Sequence, residues 1–190
     1  MLHYMLPESK VSPEKAEHQP AMFGDLGWTN DQVLPLLTEE SVAGDIDAIV
    51  LFGASGDLAR KMTFVSLYRL AERGLLDLPV VGVAFTDWSD DDLRSHARAA
   101  IEAAGVTPDE TIWKAMAGRM SFVQGDYTKG ETYASVGRAL AGAKHPLFYL
   151  EIPPSLFETV VRGLHDAGML QGDGVRVVVE KPFGHDLESA

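Results

Sequence analysis

Two glycines at a fixed spacing give this sequence its clearest candidate for chemistry. They belong to a run that reads Gly53-Ala54-Ser55-Gly56-Asp57-Leu58-Ala59. The run follows an apolar stretch and precedes a helical pattern. Glycines allow a sharp turn and a close approach of the backbone to an anion, and the first N–H groups of a helix attract a pyrophosphate. The run, a variant of the dinucleotide fingerprint, therefore predicts a dinucleotide-binding loop. The alternative is a glycine turn that only joins a strand to a helix.

Three charged residues accompany this loop. Arg60 and Lys61 fall in the first helical turn, where the helix dipole disfavours cations. Either a bound anion or a solvated, exposed position would explain them. Asp57 would repel a pyrophosphate if it faced one, so it is predicted to cap the helix or to tie the turn through backbone N–H groups.

The pattern along the rest of the chain predicts elements that can hold such a loop. Apolar runs predict buried strands at 46–52, 80–85, 120–124, 147–152 and 175–179. Helical patterns cover 57–73, 90–104, 109–117 and 131–141, and Ser155 is predicted to cap a further helix. This alternation predicts an α/β fold with a doubly wound parallel sheet, Rossmann-like in its arrangement.

The acidic charge is concentrated at the N-terminus. Residues 1–45 carry eight acidic and two basic side chains, half of the net charge of −12. They also contain four prolines and little periodicity, so residues 1–45 are predicted to form a disordered extension and residues 46–190 a dinucleotide-binding domain.

Composition limits the class of protein. Apolar residues make up 46% of the chain, which is typical of a globular domain. The acidic balance argues against binding to nucleic acid or to an anionic membrane, and no apolar run has the length of a membrane helix. The sequence has no cysteine, so no disulfide, thiolate nucleophile or cysteine metal site is predicted. No other metal site is predicted, and a cytoplasmic location is expected.

Three stretches of the sequence resemble those of a known family. Residues 53–61 resemble the nucleotide loop of the glucose-6-phosphate dehydrogenases. Two further stretches match in the same order, Phe148-Tyr149-Leu150-Glu151-Ile152-Pro153-Pro154 and Arg176-Val177-Val178-Val179-Glu180-Lys181-Pro182-Phe183-Gly184-His185-Asp186-Leu187. The resemblance covers residues 46–190 and implies oxidation of glucose 6-phosphate at C1 with NADP.

The resemblance also implies roles for individual residues. Lys181 matches a lysine that contacts the sugar phosphate and the nicotinamide end of the cofactor, although a structural pair with Glu180 is the alternative. Tyr149 resembles a tyrosine that lines the cofactor, and a half-buried structural tyrosine is its alternative. Pro182 resembles a cis-proline in the floor of the site. His185 is expected to be exposed and without a function.

The sequence departs from the family pattern in two places. Many members have a lysine where Met62 stands, and Met62 is predicted to be a core residue instead. NADP-specific members place a base after the second strand, where this chain has Phe85, Thr86 and Asp87. Thr86 could bind a phosphate and Asp87 a ribose hydroxyl, so NADP is implied and NAD is the alternative.

The resemblance implies a site that continues past Ala190. In the family the histidine that removes the hydroxyl proton lies in a second domain, which also binds phosphate and forms a dimer. No catalytic residue is therefore expected within residues 1–190, and the chain is expected to be inactive alone. The alternatives are a non-catalytic nucleotide-binding or regulatory module and another Rossmann-type reductase.

Overall fold

A computed structural model describes residues 46–172 and 174–179. Five parallel strands lie in the order β3-β2-β1-β4-β5 within this part of the chain. Their bounds are β1 Ala48–Phe52, β2 Val80–Ala84, β3 Met120–Gln124, β4 Pro146–Leu150 and β5 Arg176–Val179. The strand order reverses between β1 and β4, which is the point where open α/β sheets bind ligands.

β1 lies at the centre of the sheet because its side chains are apolar on both faces. All five of its residues are buried, as the uninterrupted apolar run predicts. The acid just before the strand has a separate role: the Asp47 carboxylate accepts the N–H groups of Lys144 at 2.7 Å and of His145 at 2.9 Å. It therefore fixes the start of β4 beside the start of β1.

Helices cover both faces of the sheet. Their bounds are α1 Phe64–Glu72, α2 Asp90–Ala103, α3 Glu110–Ala117, α4 Gly130–Ala139 and α5 Phe157–Asp166. The first three pack on the face that includes Ile49 and Leu51. On the opposite face the rings of Phe52 on β1 and Tyr133 on α4 lie 6.4 Å apart. The predicted doubly wound parallel sheet is confirmed.

The start of one predicted helix differs from the expectation. Ser155 lies in a 3₁₀ turn, Pro154–Leu156, and α5 begins after it without a side-chain cap. The prediction that Ser155 caps this helix was wrong, because the two prolines before it start a tighter turn that leads into α5. The buried face of α5 is as predicted and includes Val160, Val161 and Leu164.

The helix after the glycine loop contains a π turn that changes which side chains are buried. Helical backbone begins at Asp57, and residues Ala59–Thr63 form the π turn before α1. A π turn holds one more residue than an α turn and rotates the following side chains around the axis. Thr63 is consequently buried while Met62 is 40% exposed. The prediction that Met62 is a core residue was wrong because it assumed α-helical spacing throughout.

Some predictions lie outside the described residues. These are the disordered extension at 1–45 and the roles assigned within 180–190. The boundary between residues 45 and 46 therefore stays a prediction. Within the residues that the structure describes, no helix is long and apolar enough to cross a membrane.

Candidate nucleotide-binding site

Gly53 ends β1 at a position that only glycine can occupy. Its φ is +88°, in the left-handed region, and a Cβ there would lie 2.2 Å from the carbonyl oxygen of Glu151. The loop can therefore pass directly over the end of β4. This places the first glycine of the motif at the switch point of the sheet.

Gly56 closes the turn that Gly53 opens. Its N–H donates to the Gly53 carbonyl at 2.8 Å, and its own carbonyl accepts the N–H of Arg60 at 3.1 Å. A Cβ on Gly56 would lie 3.0 Å from the Gly53 oxygen, which is closer than ordinary contacts. The strand, glycine turn and helix start thus follow one another as predicted, and the helix presents its first N–H groups beside the turn.

The other loop residues contribute in different ways. Ala54 and Ala59 are fully buried, so their side chains pack while only their backbone can face a ligand. Leu58 is half-buried. The Thr86 hydroxyl donates to the Ser55 hydroxyl oxygen at 2.9 Å. This bond joins the glycine loop to the segment after β2, where Phe85 is 75% exposed.

Asp57 has partners other than the predicted ones. Its carboxylate accepts a hydrogen bond from the Lys61 ammonium at 3.0 Å and lies 3.8 Å from the Arg60 guanidinium. The Lys61 hydrogen bond is the main reason that the pKa of Asp57 lies below its ordinary value. Among the described contacts, the predicted bonds from Asp57 to backbone N–H groups are absent. The helix spacing of Asp57, Arg60 and Lys61 favours the side-chain pairs instead.

His96 packs against the segment that follows β2. Its ring lies on Trp88, with ring centroids 4.8 Å apart, and Trp88 follows β2. Burial lowers the pKa of His96, and the charge of Arg60 lowers it further. The stretch from Phe85 to Asp87 has no base of its own.

Tyr127 is a site residue that sequence reasoning missed. Its hydroxyl oxygen accepts the Gly53 N–H at 3.0 Å, and the same hydroxyl donates to the Val83 carbonyl at 3.2 Å. The pKa of Tyr127 is raised because the phenol is buried, an effect that the Gly53 hydrogen bond partly offsets. No local motif could have revealed this contact, because the two residues lie 74 positions apart.

Thr63 and Glu151 form a second contact that the sequence did not reveal. The Thr63 hydroxyl donates to Glu151 Oε1, and both side chains are buried. Glu151 follows β4, and its own N–H donates to the Phe52 carbonyl at 2.9 Å. The π turn is what turns Thr63 toward the sheet. The pair therefore attaches the helix after the loop to the ends of β1 and β4.

Of the remaining predicted site residues, the structure describes Tyr149 but not Lys181. Tyr149 is half-buried on β4, opposite Leu51 of β1, and packs against the core. Its contact with a cofactor stays a prediction. Lys181, Glu180, Pro182 and His185 lie outside the described residues. Within the described residues, no group of three or more His, Cys, Asp or Glu side chains is placed to hold a metal ion.

Comparison with known proteins identifies a family for most of the chain. Residues 50–190 match the family described as "Glucose-6-phosphate dehydrogenase, NAD binding domain". The chain is 46% identical over 149 residues to glucose-6-phosphate 1-dehydrogenase 1 of Mycobacterium tuberculosis, covering 77% of this chain and 31% of that protein. It is 35% identical over 159 residues to the cytoplasmic isoform of glucose-6-phosphate 1-dehydrogenase from Solanum tuberosum, covering 75% of this chain and 31% of that protein.

A solved structure agrees with these relatives. The crystal structure of glucose-6-phosphate 1-dehydrogenase from Mycobacterium avium superposes with a TM-score of 0.73 at 48% identity. The match covers 77% of this chain and 32% of that one. The chain thus spans about a third of the length of the relatives that it matches.

Proposed function

This chain belongs to the glucose-6-phosphate dehydrogenase family through its NAD-binding domain, and from that premise we propose that it forms the cofactor-binding part of an enzyme that oxidises glucose 6-phosphate at C1. The activity of the whole relatives is extended here to a chain that spans 31% of their length. The observation that carries the proposal is the glycine turn at the switch point, directly before a helix start.

The loop has the turn expected of a dinucleotide-binding motif. A Cβ at Gly56 would lie 3.0 Å from the Gly53 carbonyl oxygen, so a side chain there would crowd the turn beside the helix start. The N–H groups at the helix start would bind the pyrophosphate, and the Ser55 and Thr86 hydroxyls would meet the adenosine ribose. When bound, a nicotinamide dinucleotide supplies the acceptor for the hydride. Lys181 would orient the sugar phosphate, and a base outside these residues would take the proton.

The choice between NADP and NAD is proposed to be weak. The segment after β2 offers Thr86 and the acid Asp87 but no base to meet a 2′-phosphate. The resemblance to the glucose-6-phosphate dehydrogenase family is what favours NADP. NADP is therefore the proposed cofactor, with NAD also accepted.

The partners and the location are proposed on the basis of the family. The proposed substrate is glucose 6-phosphate, and the complete enzyme is proposed to be a homo-oligomer. A cytoplasmic location is proposed because the relative from Solanum tuberosum is named as a cytoplasmic isoform.

Calorimetric titration of the 190-residue chain with NADP and then with NAD tests the cofactor-binding role. Binding of at least one of them with a dissociation constant below about 1 mM is expected, which corresponds to about 4 kcal/mol. Circular dichroism must show the chain to be folded in the same buffer. A folded chain that binds neither dinucleotide at millimolar concentration contradicts the proposal.

A further inference from the structure

We propose that Tyr127 is a positioning residue whose hydroxyl holds the glycine loop in the conformation that receives a pyrophosphate. This inference rests on the proposed cofactor-binding role and adds to it a residue outside the glycine motif. Tyr127 belongs to the segment that connects β3 to α4. The conformation of the glycine loop would therefore depend on a residue that follows a different strand.

The contacts of the Tyr127 hydroxyl lie where two strands end. The Gly53 N–H points at two acceptors, the Val83 carbonyl at 2.9 Å and the Tyr127 hydroxyl at 3.0 Å. The Val83 carbonyl also receives the Ala54 N–H at 3.3 Å and the Tyr127 O–H at 3.2 Å. One phenol oxygen therefore joins the end of β1 to the end of β2 at the first residue of the loop.

The tyrosine itself is firmly held. The Tyr133 hydroxyl donates to the Tyr127 carbonyl at 2.7 Å, and the Tyr127 ring stands edge-on to Phe52 with centroids 5.6 Å apart. Gly53, in contrast, has the conformational freedom of a residue without a Cβ. The hydroxyl thus ties a permissive backbone position to a rigid side chain.

This arrangement affects ligand binding more than folding. The Gly53 N–H would keep the Val83 carbonyl as an acceptor if the Tyr127 hydroxyl were removed. The substitution would remove the hydrogen bond from the Gly53 N–H to Tyr127, which is the second restraint on the loop backbone. A loop that its ligand must first order binds that ligand less tightly. The loss should fall on ligands that carry a pyrophosphate, because the loop binds that group.

The test compares Tyr127→Phe with Tyr68→Phe in the 190-residue chain. Tyr68 is a matched control because its buried hydroxyl also accepts a backbone N–H, that of Asp109 at 2.7 Å, and this contact joins α1 to the start of α3. Affinities for ADP and for adenosine are measured by NMR titration. Tyr127→Phe should weaken ADP binding about tenfold, the effect of one lost orienting hydrogen bond, and leave adenosine binding unchanged. Tyr68→Phe should leave both affinities unchanged.

The outcomes separate this inference from the proposed function. An unsubstituted chain that binds neither ADP nor a dinucleotide contradicts the cofactor-binding role itself. If the unsubstituted chain binds ADP and Tyr127→Phe binds it equally well, or loses ADP and adenosine to the same degree, only the positioning role is overturned.

A second measurement reports on the loop directly. Amide hydrogen exchange at Gly53 should be faster in Tyr127→Phe than in the unsubstituted chain, because one of its two acceptors is lost, while exchange at Ile49, whose N–H donates to the Pro79 carbonyl, should stay the same. Unchanged exchange at both residues would overturn the inference.

Discussion

At the scale of single residues, the two motif glycines are required for different reasons. Gly53 has a positive φ and no room for a Cβ beside the Glu151 backbone, so the fold itself depends on it. Gly56 has an ordinary φ, and its Cβ would meet only the carbonyl of its own turn at 3.0 Å. A side chain at Gly56 therefore disturbs the turn beside the helix start and not the packing of the sheet, which makes it the better position for testing function.

Gly56→Val should abolish dinucleotide binding while the chain remains folded. The valine side chain would occupy the space beside the turn through which the pyrophosphate reaches the helix N–H groups. A loss of at least about a hundredfold in affinity is expected, equivalent to about 2.7 kcal/mol, by calorimetry. Gly130→Val is the matched control, because a Cβ at Gly130 meets nothing within 4 Å. Unchanged affinity in Gly56→Val would place the dinucleotide elsewhere.

Asp87 is the residue at which the proposed cofactor preference can be tested. Asp87→Arg should shift the preference toward NADP by about tenfold, because a base after β2 can meet the 2′-phosphate and an acid repels it. The ratio of NADP to NAD dissociation constants measures this shift. Glu131→Arg makes the same charge change on α4 and should leave the ratio unchanged. If Asp87→Arg also leaves the ratio unchanged, another residue contacts the 2′-position of the adenosine ribose, and Arg60 is the next residue to substitute.

At the scale of elements, the sequence predicts strands more accurately than side-chain directions. The fully apolar run of β1 is a local signal, and so are Gly74 and Gly105, which directly follow the predicted helices 57–73 and 90–104. Both glycines have the positive φ typical of a helix end. The π turn has no comparable signal, so the exposure of Met62 was predicted wrongly. The contact between Tyr127 and Gly53 depends on how β3 follows β2 in the sheet, which residue spacing alone does not specify.

The start of α2 shows how one element is stabilised locally. Ser89 and Asp92 form a capping box, in which the Ser89 hydroxyl accepts the Asp92 N–H at 3.2 Å and the Asp92 carboxylate accepts the Ser89 N–H at 2.8 Å. Ser89→Ala should lower the free energy of unfolding by about 1 kcal/mol, as for other lost caps. Urea denaturation measures the change, and Ser135→Ala, in the interior of α4, is the control with the smaller expected effect.

The same box predicts a pH dependence. Hydrogen bonds from the Ser89 hydroxyl and then from its N–H lower the pKa of Asp92 below its ordinary value. A carboxyl with a lowered folded-state pKa stabilises the fold above its unfolded pKa of about 3.9, and this contribution is lost as pH falls through the folded pKa. Asp92→Asn should therefore lower the urea midpoint at pH 7 more than at pH 3. An equal difference at both pH values would contradict this assignment.

At the scale of the whole molecule, none of the histidine side chains in the described residues forms a hydrogen bond with the glycine loop. These histidines are His96, His145 and His165. His96 packs between Phe64 and Trp88, His145 precedes β4 at the amino end of that strand, and His165 lies in the last turn of α5. A histidine base for the proposed reaction is therefore expected from residues other than these three.

The last prediction concerns catalysis by the polypeptide of residues 1–190. It spans about a third of the length of its relatives, and the groups that take the proton and enclose the sugar phosphate are proposed to lie outside it. A positioned base contributes roughly a hundred- to ten-thousandfold to a rate, and orientation of the reacting carbon can contribute more. The chain with glucose 6-phosphate and either dinucleotide should therefore form no measurable reduced nicotinamide, followed by absorbance. The positive control joins residues 1–190 to the remaining two thirds of a relative and should restore turnover. Substantial turnover by the chain alone, lost in Lys181→Ala, would instead show that a base lies within these residues.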